Sequence, residues 1–282
     1  MDGMIFGICT VAGLLVTALC TRRAVGNPRV STWSIAAAFG ICTLGVFFAV
    51  PVVAQAAEDA TGVANVGKLI AHICAILWCA ALQITMVDLT YRSEYLRAAM
   101  FQRAFAAMVE LAIMVPLFLA ANEPDMEFTT AYVHNESVAA YLLIYLSYVL
   151  VTCGELAFMC GRTAQRNWGI RPWSGAGYAL SPMAATLGIA YTVSKGSYII
   201  FYLVDDPWPL DVEEVVSPSL SGLAVLFLFF GLTLPMVGAL RERLRQRKQP
   251  AGTRRRRSAV ARRTHRPRPQ PYRPLGGTAH LL

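Results

Sequence analysis

Seven long apolar runs, at about residues 4–20, 33–54, 66–87, 104–121, 138–160, 177–203 and 220–240, constrain this chain more than any other feature. A helix needs about 20 apolar residues to cross a ~30 Å hydrocarbon core, and all seven runs qualify, the first being short and near the lower limit. The runs are continuous rather than alternating, so helices are expected and a β-barrel is not. The predicted fold is therefore all-α: a polytopic membrane bundle of seven transmembrane helices over residues 1–240, followed by a tail over 241–282. With 56% hydrophobic and 15% charged residues, the chain departs from a water-soluble domain, where charged residues make up about 25%.

The first run is not read as a cleaved leader. Its flank, Met1-Asp2-Gly3, carries no positive charge, and no small-x-small site precedes Cys20.

Charge between the runs sets direction. Arg22, Arg23 and Arg29 follow the first run, Arg92, Arg97 and Arg103 the third, and Arg162, Arg166 and Arg171 the fifth. The intervening segments are acidic: Glu58 and Asp59, then Glu123, Asp125, Glu127 and Glu136, then Asp205, Asp206, Asp211, Glu213 and Glu214. Their one basic residue, Lys68, lies at the edge of the third run. Cytoplasmic loops carry the Lys/Arg excess, so the N-terminus is expected outside and the C-terminus inside, with the chain in the plasma (inner) membrane. Trp33, Trp173, Trp208 and Tyr132 fall at run ends, as interfacial aromatics do.

The net charge of +8 is local. Fourteen of the 25 Lys and Arg residues lie between Arg241 and Arg273, which leaves 11 basic against 16 acidic residues elsewhere. Arg241, Arg243, Arg245, Arg247, Lys248 and Arg254, Arg255, Arg256 and Arg257 form the densest part, with prolines beyond. Such a composition predicts a disordered cytoplasmic tail that touches anionic lipid of the inner leaflet. Nucleic acid is not the expected partner, because the tail shows no aromatic stacking pattern.

The seven cysteines lie in or beside apolar runs and read as packing residues. No Cys/His spacing suggests a metal site. His-Glu-x-x-His, Gly-x-Ser-x-Gly and Walker A patterns are absent, so no catalytic residue, metal or cofactor is predicted and an enzyme is not expected. A retinal protein would need a lysine in the last run, and 220–240 has none.

Ionisable residues inside spans cost about 2.5–3.5 kcal/mol on insertion scales and face the bundle interior. Here they are His72, Glu110, Glu155 and Lys195. Helical phase gathers them into stripes. Tyr141, Tyr145, Tyr148, Thr152 and Glu155 share one face of the fifth run. Gly188, Tyr191, Lys195, Tyr198 and Tyr202 share one face of the sixth, and Lys68, His72, Cys79 and Gln83 one face of the third. At about 1.5 Å per residue, His72, Tyr145, Lys195 and Tyr198 lie toward the outer side and Glu110 and Glu155 toward the inner side. Two groups follow: His72, Tyr141, Tyr145, Lys195 and Tyr198 as candidate ligand contacts, and Glu110, Glu155 and Gln83 as candidate proton or ion carriers. Hydrogen-bonded packing between helices is the plainer reading of the same stripes.

Three segments, TGVANVGKLIAH at 61–72, YLLIYLSYVLV at 141–151 and RPWSGAGYALSPMAATLGIAYTVSKGSYII at 171–200, carry a family likeness. Through Thr61, Gly62, Val63 and Asn65 leading to His72, and through Arg171, Pro172 and Trp173, the chain resembles the actinobacterial seven-helix membrane proteins catalogued as transporters. The resemblance covers most of 30–240. It implies a seven-helix membrane domain, usually followed by a cytoplasmic domain in place of which this chain has the basic tail. It supplies no substrate and no catalytic residue.

The expected function is a transporter or permease-like protein with a polar intramembrane cavity for a small polar or anionic ligand. The alternatives are a seven-helix sensor that signals through a cytoplasmic protein partner, and a ligand-free membrane scaffold.

Overall fold

The computed structural model describes residues 2–91, 93–121, 135–167, 172–204 and 210–248. These are helical with short connections, and no strand occurs among them. In chain order the helices are α1 (Asp2–Gly26), α2 (Val30–Phe48), α3 (Pro51–Thr61), α4 (Val66–Thr90), α5 (Ser93–Ala121), α6 (Glu136–Asn167), α7 (Pro172–Leu203) and α8 (Leu210–Lys248). Five stretches are long and apolar enough to cross a membrane: Gly7–Gly26, Val30–Phe48, Val66–Thr90, Glu94–Ala121 and Glu136–Arg166. A shorter apolar stretch covers Val215–Gly231 in α8. The chain divides into two compact units, Met1–Pro235 and Met236–Leu282.

The second run, expected as one span over 33–54, is divided. Pro51 opens α3, and Val50 before it is extended at φ −69°, ψ 122°. The proline ring disfavours helical backbone in the preceding residue and has no N–H to donate, so α2 stops at Phe48. The acidic segment expected as a loop then forms the helix α3. It ends on Gly62 in the left-handed region at φ 68°, and Asn65 at φ 55° begins α4. Glu58 ties this turn by accepting the Asn65 backbone N–H.

Both ends of the last expected span lengthen as well. The segments 210–219 and 241–248, read as loop and tail, belong to α8. Asp211, Glu213 and Glu214 suit the positive end of a helix dipole, and the Arg-, Leu-, Glu- and Gln-rich segment after Leu240 contains good helix formers up to Pro250. Residues 249–282, with Arg254–Arg257, lie outside the described residues, as does the acidic segment 122–134.

Within the first unit α4 is the hub. It packs against α2, α3, α5 and α6; α1 packs on α2, α5 on α6, and α6 on α7. More than half of its apolar window is buried, against 17% for the windows of α1 and α5. Those two helices turn Ile8, Leu15, Leu19, Phe101, Phe105 and Met108 outward, each about 60% exposed or more. Large apolar side chains in that number on the outside suit hydrocarbon, not water. At the end of α4, Asp88 Oδ2 accepts the Ser31 backbone N–H at 3.0 Å and so caps α2. The α6–α7 contact is close: a Cβ on Gly188 would stand 2.7 Å from Cys153 Sγ, so the thiol would have to turn aside for any larger residue. Pro116 and Pro182 sit inside α5 and α7.

Candidate functional site

Polar side chains meet at two levels along α4. Near its start, His72 Nδ1 hydrogen-bonds Tyr141 Oη of α6 at 2.5 Å. The imidazole also stacks on Tyr145, one turn further along α6, with ring centroids 4.4 Å apart and planes 18° from parallel. Phe118 of α5 closes on Tyr141 at 5.5 Å. Tyr141 is fully buried, and Tyr145 and Phe118 nearly so. From α7, Tyr198 joins the same buried cluster with Tyr191 against it, and Lys195 Nζ lies 4.9 Å above the Tyr198 ring. That separation is within cation–π range.

The second level lies eleven residues on, at Gln83, about 16 Å along the axis. Gln83 Nε2 donates to Glu155 Oε2 at 2.8 Å, and Tyr148 Oη donates to Gln83 Oε1 at 3.3 Å. The other carboxylate oxygen of Glu155 takes Arg103 Nη2 in an ion pair. Arg103 Nη1 donates to the Ala99 carbonyl at 3.2 Å, and its guanidinium lies over Tyr91 at 5.8 Å from the ring centroid. Glu110 is partly buried, and its Oε1 is shielded with no hydrogen-bond partner.

The structure thus brings His72, Tyr141 and Tyr145 into contact, and Gln83 and Glu155 into another. Tyr198 and Lys195 stand beside each other on α7. Of the expected lipid-contacting arginines, Arg241 is exposed.

Arg103 was missed as a site residue, because the charge pattern assigns it to the loop after the third run. Its helical phase identifies it. Ala99, Arg103, Ala107, Glu110, Met114 and Phe118 recur every three or four residues along α5, and four of them are buried core. Arg103 continues that inward face by one turn.

Chemically, the first level offers an imidazole and two phenols packed ring against ring, with an ammonium beside Tyr198 on α7. The second can hold charge: one guanidinium, two carboxyls and an amide. No group of three or more His, Cys, Asp or Glu suited to a metal ion occurs among the described residues. No protein-family model matches the chain, and neither does a curated protein or a solved structure.

Proposed function

We propose that the chain is a plasma-membrane protein of seven spans, N-terminus outside and C-terminus inside, that acts as a transporter or permease-like protein for a small polar or anionic ligand. One observation carries this reading: hydrogen-bonding and ionisable side chains of α4, α5 and α6 turn toward one another at two depths, while apolar side chains cover the outside. A scaffold needs no stacked imidazole and no buried ion pair. In this reading Lys195, His72 and Tyr145 receive the ligand, and tyrosine hydroxyls orient it against aromatic walls. Arg241 to Lys248 hold the cytoplasmic end against anionic lipid. The likeness to actinobacterial seven-helix transporters points the same way.

Two measurements test it. Single cysteines at Glu127 and Val215, in a cysteine-free background, should react with an impermeant thiol reagent on intact cells, and one at Gln165 should not. Labelling at Gln165 alone reverses the orientation. Purified protein should then gain thermal stability from at least one of lactate, succinate and inorganic phosphate, by mass action on the folded state. Lys195→Met should lose that gain. No shift with any of the three, or an equal shift in the variant, removes the anion-ligand reading.

A further inference from the structure

The second level holds two carboxyls and one guanidinium, and the register of α5 against α6 shows where each stands. Arg103 meets Glu155, and Phe118 meets Tyr141. Fifteen residues separate the first contact from the second on α5, and fourteen do so on α6 in the opposite direction. The helices are therefore antiparallel and keep one register between these contacts. Seven residues above the ion pair, Glu110 of α5 stands level with Tyr148 of α6. Tyr148 interacts electrostatically with Glu110, with Glu155 and with the Cys79 thiol of α4. On α4 and α6, the helices packed on α5, these are the titratable groups gathered about Tyr148 at this level, and Arg103 lies seven residues away on α5 itself.

The two carboxyls are not equivalent. Glu155 accepts from Arg103 and from Gln83, one donor to each oxygen. It is the anion that balances Arg103. Glu110 Oε1 has no donor. A shielded carboxylate oxygen without a donor is costly when charged and far less so in the neutral acid.

We propose that Glu110 is a proton-binding site whose proton completes the charge balance of the Arg103–Glu155 pair. The proton comes from water onto the Glu110 carboxylate and returns to water on release. With it bound, Arg103, Glu155 and Glu110 sum to zero. Once it leaves, two carboxylates compete for one guanidinium, so Arg103 is drawn toward Glu110 and its hold on Glu155 weakens. Gln83 keeps Glu155 on α4 throughout, so proton release loosens α5 against α6 and spares α4 against α6. This deepens the transporter reading by making the proton the coupled ion, and rests on that reading in this respect alone.

The test needs no transported ligand. Infrared difference spectra of the full chain in liposomes, titrated with pH, should show a carboxylic-acid C=O band that disappears as pH rises. Glu110→Gln should remove the band. If that variant fails to fold, Glu110→Asp keeps a carboxyl at the position and should keep a titrating band. Arg103 lies seven residues from Glu110, about 10.5 Å of rise, and a unit charge at that distance changes proton affinity roughly tenfold at an effective dielectric constant of about 20. Arg103→Gln should therefore move the midpoint up, by at most about one pH unit, and Glu155→Gln should move it down. The proposal is overturned by a band that survives Glu110→Gln, by its absence from the wild type or from folded Glu110→Asp, or by midpoints that do not shift in opposite directions. Because transport is not the readout, ligand uptake can fail while proton binding stands.

Discussion

The two ends of α4 solve the same problem with different chemistry. At His72 the partners are rings, and the polar atoms they bring are few: one imidazole against two phenols. At Gln83 the partners carry formal charge. Burial follows chemistry. Tyr141 and Tyr198 are 0% exposed, whereas Arg103 and Glu155 keep 16% and 21% of their side-chain surface. An uncharged hydrogen bond can be sealed off at little cost, but an ion pair loses much of its hydration when it is sealed. The ionic pair thus keeps the readier exchange with water and protons.

The sharpest way to break this comparison is to remove one charge. Arg103→Ala leaves Glu155 with one donor fewer and no counter-charge. A fully buried pair would lose about 3–5 kcal/mol, and this half-buried one should lose about 2–3 kcal/mol, read as a lower unfolding midpoint in detergent. A loss below that of Tyr141→Phe would erase the distinction between the levels.

A smaller effect probes the packing beside the ionic level. Gly188→Ala places a Cβ 2.7 Å from Cys153 Sγ; the thiol can turn aside, so the loss should lie near the low end of overpacking, about 1 kcal/mol. Cys153→Ala in the same chain should recover most of that loss. Without recovery, the α6–α7 approach is looser than described.

At the ring level Tyr141→Phe deletes the bond to His72 Nδ1 and keeps the ring contacts. Interhelical hydrogen bonds in membranes average about 0.6 kcal/mol, so the thermal midpoint should fall only slightly. A double-mutant cycle with His72→Phe should give a coupling of the same size, and a coupling near zero would mean that stacking on Tyr145 alone holds the imidazole.

The smallest effect belongs to the tail. Truncation after Gln249 should leave insertion and unfolding unchanged, because Arg241 to Lys248 remain to anchor α8. Loss of insertion would show that the later arginines do more than touch lipid.

Helical phase made much of this legible before the fold was known. Tyr141, Tyr145, Tyr148 and Thr152 occur on one face because only that spacing keeps hydroxyls away from lipid, and all four are buried. His72 and Gln83 were readable in the same way. Arg103 was hidden because an arginine next to a span end has two physical uses, headgroup contact and inward pairing, and composition cannot separate them. The break at Pro51 was hidden because hydropathy is blind to backbone geometry: residues 33–54 are apolar throughout, and the proline acts through φ and a missing N–H. Phase assigned Lys195 a face but not a neighbour. Its place above Tyr198 depends on side-chain torsions, which spacing does not fix.

Pro116 has a mechanical consequence. It lies between Glu110 and Phe118 on α5, and its ring leaves the Ala112 carbonyl without the usual helical donor. One bond fewer at that turn lowers the bending stiffness of α5 between the two levels. The segment that carries Arg103 and Glu110 can tilt while the segment that carries Phe118 stays clamped against Tyr141. Bending at Pro116 would turn a change of force at the ionic end into a change of angle rather than a displacement of the whole helix.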